Sequence, residues 1–179
     1  MAFEYDAPVL RMRDIDSEQA RHLLGLFALQ LNILADGATI PGSFWGECEA
    51  GLIGSEVFVR SDTPVHSLLH EACHLMIIVP EKRALVHTDA SDSEAEEDAT
   101  CYLQLLLADY LSGFGFARAC KDMDCWGYTF RLSSAQAWFE SDAEDAVEFL
   151  IARGLIDFNQ HIPALQHLPK TPIDSSLGL

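Results

Sequence analysis

The stretch that most constrains this chain is His70-Glu71-Ala72-Cys73-His74, set between Thr63-Pro64-Val65-His66-Ser67-Leu68-Leu69 and Leu75-Met76-Ile77-Ile78-Val79-Pro80. Pro64 fits a first helical position, where no amide donor is needed, and Pro80 stops the run about four turns later. One helix is predicted, with Thr63 as its N-cap. Residues four apart share a helix face, so His70 and His74 present two imidazoles side by side, and Glu71 sits about 100° round from His70. Leu68, Leu69, Cys73, Leu75, Met76, Ile77 and Ile78 fill most other positions, which predicts burial. A buried helix with two histidines and a glutamate needs a reason, because each unpaired polar group costs roughly 1 to 3 kcal/mol. A divalent metal supplies one. Zinc takes neutral imidazole nitrogens at about 2 Å, and a neighbouring carboxylate can accept a proton from metal-bound water. The competing reading, two surface histidines on a polar stripe, sits poorly with such apolar flanks. His66 lies one turn before His70 on the same face, but a straight helix does not easily bring three such residues to one ion. It reads as a hydrogen-bonding or exposed neighbour.

Two histidines leave a site incomplete, since catalytic zinc usually takes three protein ligands. The acidic cluster Glu94, Glu96, Glu97 and Asp98 opens the next predicted helix, over 94–111. At about 100° per residue, Glu96 points with Ala99, Leu103, Leu106, Leu107 and Tyr110, the strongest apolar stripe, and so ranks first as third ligand. Glu97 points with Gln104 and Ala108 and ranks second. Glu96 has another reading, as the glutamate of a Ser-x-x-Glu capping box begun by Ser93.

With these residues on the page, the chain resembles the gluzincin type of zinc peptidases, and within it the small ImmA/IrrE-like metallopeptidases. The matching residues are the His70-to-His74 run and Glu96-Glu97-Asp98-Ala99-Thr100-Cys101-Tyr102, against a family pattern Glu-x-x-Ala-Asn/Asp-x-Phe. The resemblance implies His70, His74 and Glu96 as zinc ligands and Glu71 as general base. It implies a zincin-like fold and zinc-dependent hydrolysis of peptide bonds. It covers roughly the middle third of the chain. The sequence departs from the pattern at Thr100, where relatives place an Asn or Asp that supports a ligand histidine; an uncharged hydroxyl gives weaker support. That departure motivates the alternative of a non-catalytic, zincin-like metal-binding or regulatory module. Zincins often stabilise the reaction's oxyanion with a Tyr or His, and Tyr128, His87, His161 and Tyr102 are the candidates.

The rest of the chain sets the frame. A helix is predicted over 17–35, strands near 43–47 and 54–60, and a turn at 49–51. The strand before the metal helix offers an edge to an extended peptide, or else is a plain core strand. Alternation places Val57 and Val59 on one face. Residues 116–131 carry no clear pattern. A short helix follows Ser133 and Ser134, and Ser141-Asp142-Ala143-Glu144 reads as the capping box of a last helix ending near Arg153. The expectation is one α+β domain over residues 1–179: helices packed around a small, mainly antiparallel sheet, with an irregular tail over 160–179. A formal net charge of −17 repels phosphates and anionic lipids, which argues against nucleic-acid and membrane partners; it either favours a peptide or protein substrate of basic character or serves solubility alone. Acidic residues near Met1, no apolar run long enough to span a bilayer, and five cysteines without disulfide spacing point to the cytoplasm. Cys120 and Cys125 match no common zinc pattern.

Overall fold

The computed structural model describes residues 8–44, 46, 48–88 and 93–171. Among them lie seven α-helices and one three-stranded sheet, an α+β arrangement. The Asp16 carboxylate caps α1 (Ser17–Gly25), accepting from the amides of Glu18 and Gln19. The helix expected over 17–35 ends at Gly25 because Ala28 turns left-handed (φ 56) and the chain continues as β1 (Gln30–Ile33). Leu31, which has helical spacing in sequence, is buried opposite Val57 in the sheet. Strand pairing overrode the helical pattern.

The sheet has the order β1-β3-β2, with β2 at Gly51–Ile53 and β3 at Glu56–Val59. β1 runs parallel to β3 and β2 antiparallel to it, so the sheet is mixed rather than mainly antiparallel. Gly51 belongs to a strand and not to the expected turn. A Cβ there would collide with the Pro41 carbonyl, so this glycine serves close backbone approach. The strand expected at 43–47 is absent from Ser43, Phe44 and Gly46; Trp45 and Glu47 lie outside the described residues. Val57 and Val59 are fully buried, as alternation requires. β3 is nevertheless the central strand, so it offers no edge to a peptide. On the outer side of β2, the chain itself occupies the edge: Thr88 N–H donates to Leu52 O, and Gly54 N–H to Val86 O.

α2 (Val65–Ile77) carries the histidines and packs against the sheet and against α4 (Glu94–Ala108). Pro64, not Thr63, holds the N-cap position of α2; the Thr63 hydroxyl instead accepts from the Arg60 amide. α3 (Pro80–Arg83) is a single turn that begins at Pro80. Ser93 caps α4, its hydroxyl accepting from the Glu96 amide at 3.3 Å. The unread stretch forms α5 (Gly115–Trp126), closed by Gly127 at φ 99, and Ser134 caps α6 (Ala135–Ser141). α7 (Glu144–Ala152) packs on α4, but its N-cap is Ala143 and no side chain caps it. A 3-10 turn at Pro163–Leu165 is the last helical element described. No helix among the described residues is long and apolar enough to cross a membrane. All five cysteines are free, Cys120 buried and Cys125 exposed.

Candidate metal centre

Helix α2 places His70 and His74 one turn apart, with ring centroids 4.6 Å apart and planes nearly perpendicular at 87°. Their Nε2 atoms face each other at 3.1 Å. Across from them, Glu97 in the first turn of α4 presents both carboxylate oxygens: Oε1 lies 3.0 Å from His70 Nε2, and Oε2 lies 3.4 Å from His74 Nε2. His70, His74 and Glu97 form a group able to hold a metal ion. The structure thus brings Glu97, and not the first-ranked Glu96, to the histidines. Glu96 turns toward α7, where its Oε1 lies 3.7 Å from Arg153. α4 is buried on more than one side, against α2, α5 and α7, so its most apolar stripe does not single out the face toward α2.

Two buried side chains orient the imidazoles. Gln104 is 1% exposed; its Oε1 accepts from His70 Nδ1 at 2.7 Å, while its Nε2 donates to Met123 Sδ at 3.1 Å. The Thr100 hydroxyl lies 3.2 Å from His74 Nδ1. The Gln104 oxygen puts His70 Nδ1 in the donor role, and the Thr100 hydroxyl can accept from His74 Nδ1 in the same way; a neutral ring so paired keeps a lone pair on Nε2. Two such lone pairs and a carboxylate then converge on one point. Such a donor set can hold a cation between its members. One ligand atom from each of the three residues lies within 4.8 Å of the others, close enough for a single ion to meet all three.

The titration behaviour has the same origin. Burial works against charge on His70, while the Glu97 carboxylate 3.0 Å from its Nε2 favours it, and its pKa is raised. Burial, and then the charge on His70, draw His74 down to about 3. Burial alone would raise Glu97; the hydrogen bond from His70 and the histidine charges bring it down to about 2. The opposite shifts of the two histidines express a single proton settling on His70.

Glu71 is partly exposed beside this group. Of the oxyanion candidates, only Tyr128 lies at the site, its ring edge-on to His70 at 5.5 Å. The Schellman turn after α5 places it, with Tyr128 N–H donating to Met123 O. Tyr102 instead donates to Gln160, His87 pairs with Thr88, and His161 faces Asp157. His66 is neither exposed nor hydrogen-bonded: it is 1% exposed, neither ring nitrogen has a partner, and Trp126 and Tyr128 flank it. Glu49, read in sequence only as part of a turn, is a buried carboxylate that accepts from Trp126 Nε1 at 2.8 Å. Nothing in its local pattern marks it. Gln104 was findable, as a polar residue two turns beyond Glu97 on the same face of an apolar helix. No family model, curated protein or solved structure matches this chain.

Proposed function

We propose that the chain is a zinc-dependent peptidase with a zincin-like site, in which His70, His74 and Glu97 hold the ion and Glu71 is the general base. The observation that carries this reading is the convergence of two oriented imidazole lone pairs and a carboxylate on one point, beside a second carboxylate one residue from His70. Two nitrogens and one oxygen are the donor types zinc takes in hydrolytic sites. When bound there, zinc supplies Lewis acidity, lowering the pKa of a coordinated water toward neutrality and polarising a substrate carbonyl. The remaining work falls to side chains. Gln104 and Thr100 hold the imidazoles in the ligating tautomer. Glu71 takes a proton on its carboxylate and later passes it to the leaving amine. Tyr128, its pKa pushed up by burial first of all, keeps its phenolic proton and can donate it to a developing oxyanion.

The test is a pair of measurements on Glu71→Gln. The variant should keep its zinc and lose hydrolysis of any peptide the parent cleaves; full activity would reject the mechanism. A second reading, a non-catalytic module built on the same metal, draws on the β2 edge that the chain itself occupies. It expects the metal to be structural, so chelation should unfold the helices, as followed by circular dichroism.

A further inference from the structure

Arg153 caps the end of α7, where Gly154 turns the chain away at φ 69. Its guanidinium reaches two other helices. Nη1 donates to the Ile77 carbonyl at 3.0 Å, in the last turn of α2, and Nη2 lies 3.7 Å from Glu96 Oε1, in the first turn of α4. The Phe149 ring supports the group, 4.9 Å from its central carbon. Both contacts are favourable for general reasons. The final carbonyls of a helix have no intrahelical partner and attract a cation, and a guanidinium can serve several acceptors in fixed directions.

The two turns so joined are the ones that carry the metal candidates. Ile77 lies three residues beyond His74, and Glu96 immediately precedes Glu97. A site split between two helices works only while their separation is held, because metal–ligand distances tolerate only about 0.2 Å. We propose that Arg153 is a positioning residue for the metal centre: a guanidinium link that fixes the spacing of α2 and α4 where His74 and Glu97 converge. The proposal rests on the metal reading above. It also gives Glu96 a role, as the inward-facing carboxylate that anchors the link rather than the ion. Simple support of the fold would have another signature, lower stability with an unchanged site.

Titration with Co²⁺, read by visible absorption, separates the two, with zinc affinity measured by chelator competition. The full chain should bind one Co²⁺. Arg153→Met keeps the length and the contact with Phe149 but loses both polar links, and should bind about tenfold more weakly with a changed visible spectrum. Arg153→Lys should recover part of the affinity. Arg118→Met, which removes a guanidinium paired with Asp122 on α5, should alter neither reading. Unchanged affinity and spectrum in Arg153→Met, or an equal loss in Arg118→Met, overturns the proposal. Should Arg153→Met not fold, Arg153→Lys and Glu96→Gln decide, since each weakens one of the two contacts and each must loosen the ion a few-fold. A parent that takes up no Co²⁺ overturns the metal reading itself, and this proposal with it.

Discussion

The hydroxyl of Thr100 lies 3.2 Å from Nδ1 of His74, both side chains buried between α2 and α4. A hydroxyl therefore supports this imidazole, where a carboxylate would be the stronger partner. It can accept the imidazole N–H, but a hydroxyl can equally donate to a bare ring nitrogen, so it holds the tautomer less firmly than a carboxylate and lends the ring no negative charge. Thr100→Val keeps the shape and leaves that N–H unpaired. We expect zinc affinity to fall about tenfold without loss of fold, and Gln104→Leu, which strips the corresponding partner from His70, to cost at least as much. Chelator competition measures both.

The ligand assignment makes a sharper prediction. The parent should carry about one zinc per chain by elemental analysis. Glu97→Gln exchanges an anionic ligand for a poor neutral one and should lose the metal while staying folded. Glu96→Gln should keep it, weakened only a few-fold. Zinc lost from Glu96→Gln and retained by Glu97→Gln would return the ligand role to Glu96.

That exchange shows what the sequence could and could not carry. His70 and His74 were legible because an i, i+4 pair must share a face whatever surrounds the helix. Choosing between Glu96 and Glu97 required knowing which neighbour each face of α4 meets. Residues 99–105 of α4 are all buried, so apolar character runs round the helix instead of marking one side. Likewise Leu31 and Leu34 have spacing that suits a helix, and only the pairing of β1 with β3 turned that segment into a strand. β3 itself was read from its alternation, yet its central place in the sheet depends on β1, which local pattern did not reveal.

His66 yields a pH prediction. Burial first, then the charges on His70 and Arg11, bring its pKa down to about 3, against about 6.5 for a free imidazole. Between these values the unfolded chain binds a proton that the folded chain refuses, so stability rises with pH and falls as the solution is acidified. The full slope from one such group is about 1.4 kcal/mol per pH unit below about 6.5. His66→Leu should flatten the acid limb of a urea-denaturation series by that amount. At pH 7 it should also stabilise the fold by about 1 kcal/mol, because two unpartnered buried nitrogens are removed. An acid limb as steep in His66→Leu as in the parent would show that the group does not titrate as its burial implies.

Tyr128 supports the last prediction. Its ring packs edge-on against both His66 and His70 and stacks on Phe130. Burial, above all, raises its pKa; the charge on His70 works against that rise, and the Glu49 and Glu71 carboxylates add to it. The phenol therefore keeps its proton at any working pH and has it to donate. Tyr128→Phe preserves the ring contacts and deletes that one donor. Removing a single oxyanion donor typically lowers kcat about 100-fold or more. A donor used only in the transition state also leaves KM in place. We expect Tyr128→Phe to hold zinc like the parent, to fold with equal stability, and to lose about 100-fold in kcat on a peptide the parent cleaves, with little change in KM. Loss of zinc together with kcat would mean that the hydroxyl supports the metal ligands instead. An unaltered kcat would remove Tyr128 from the chemistry and leave its ring as a wall of the site.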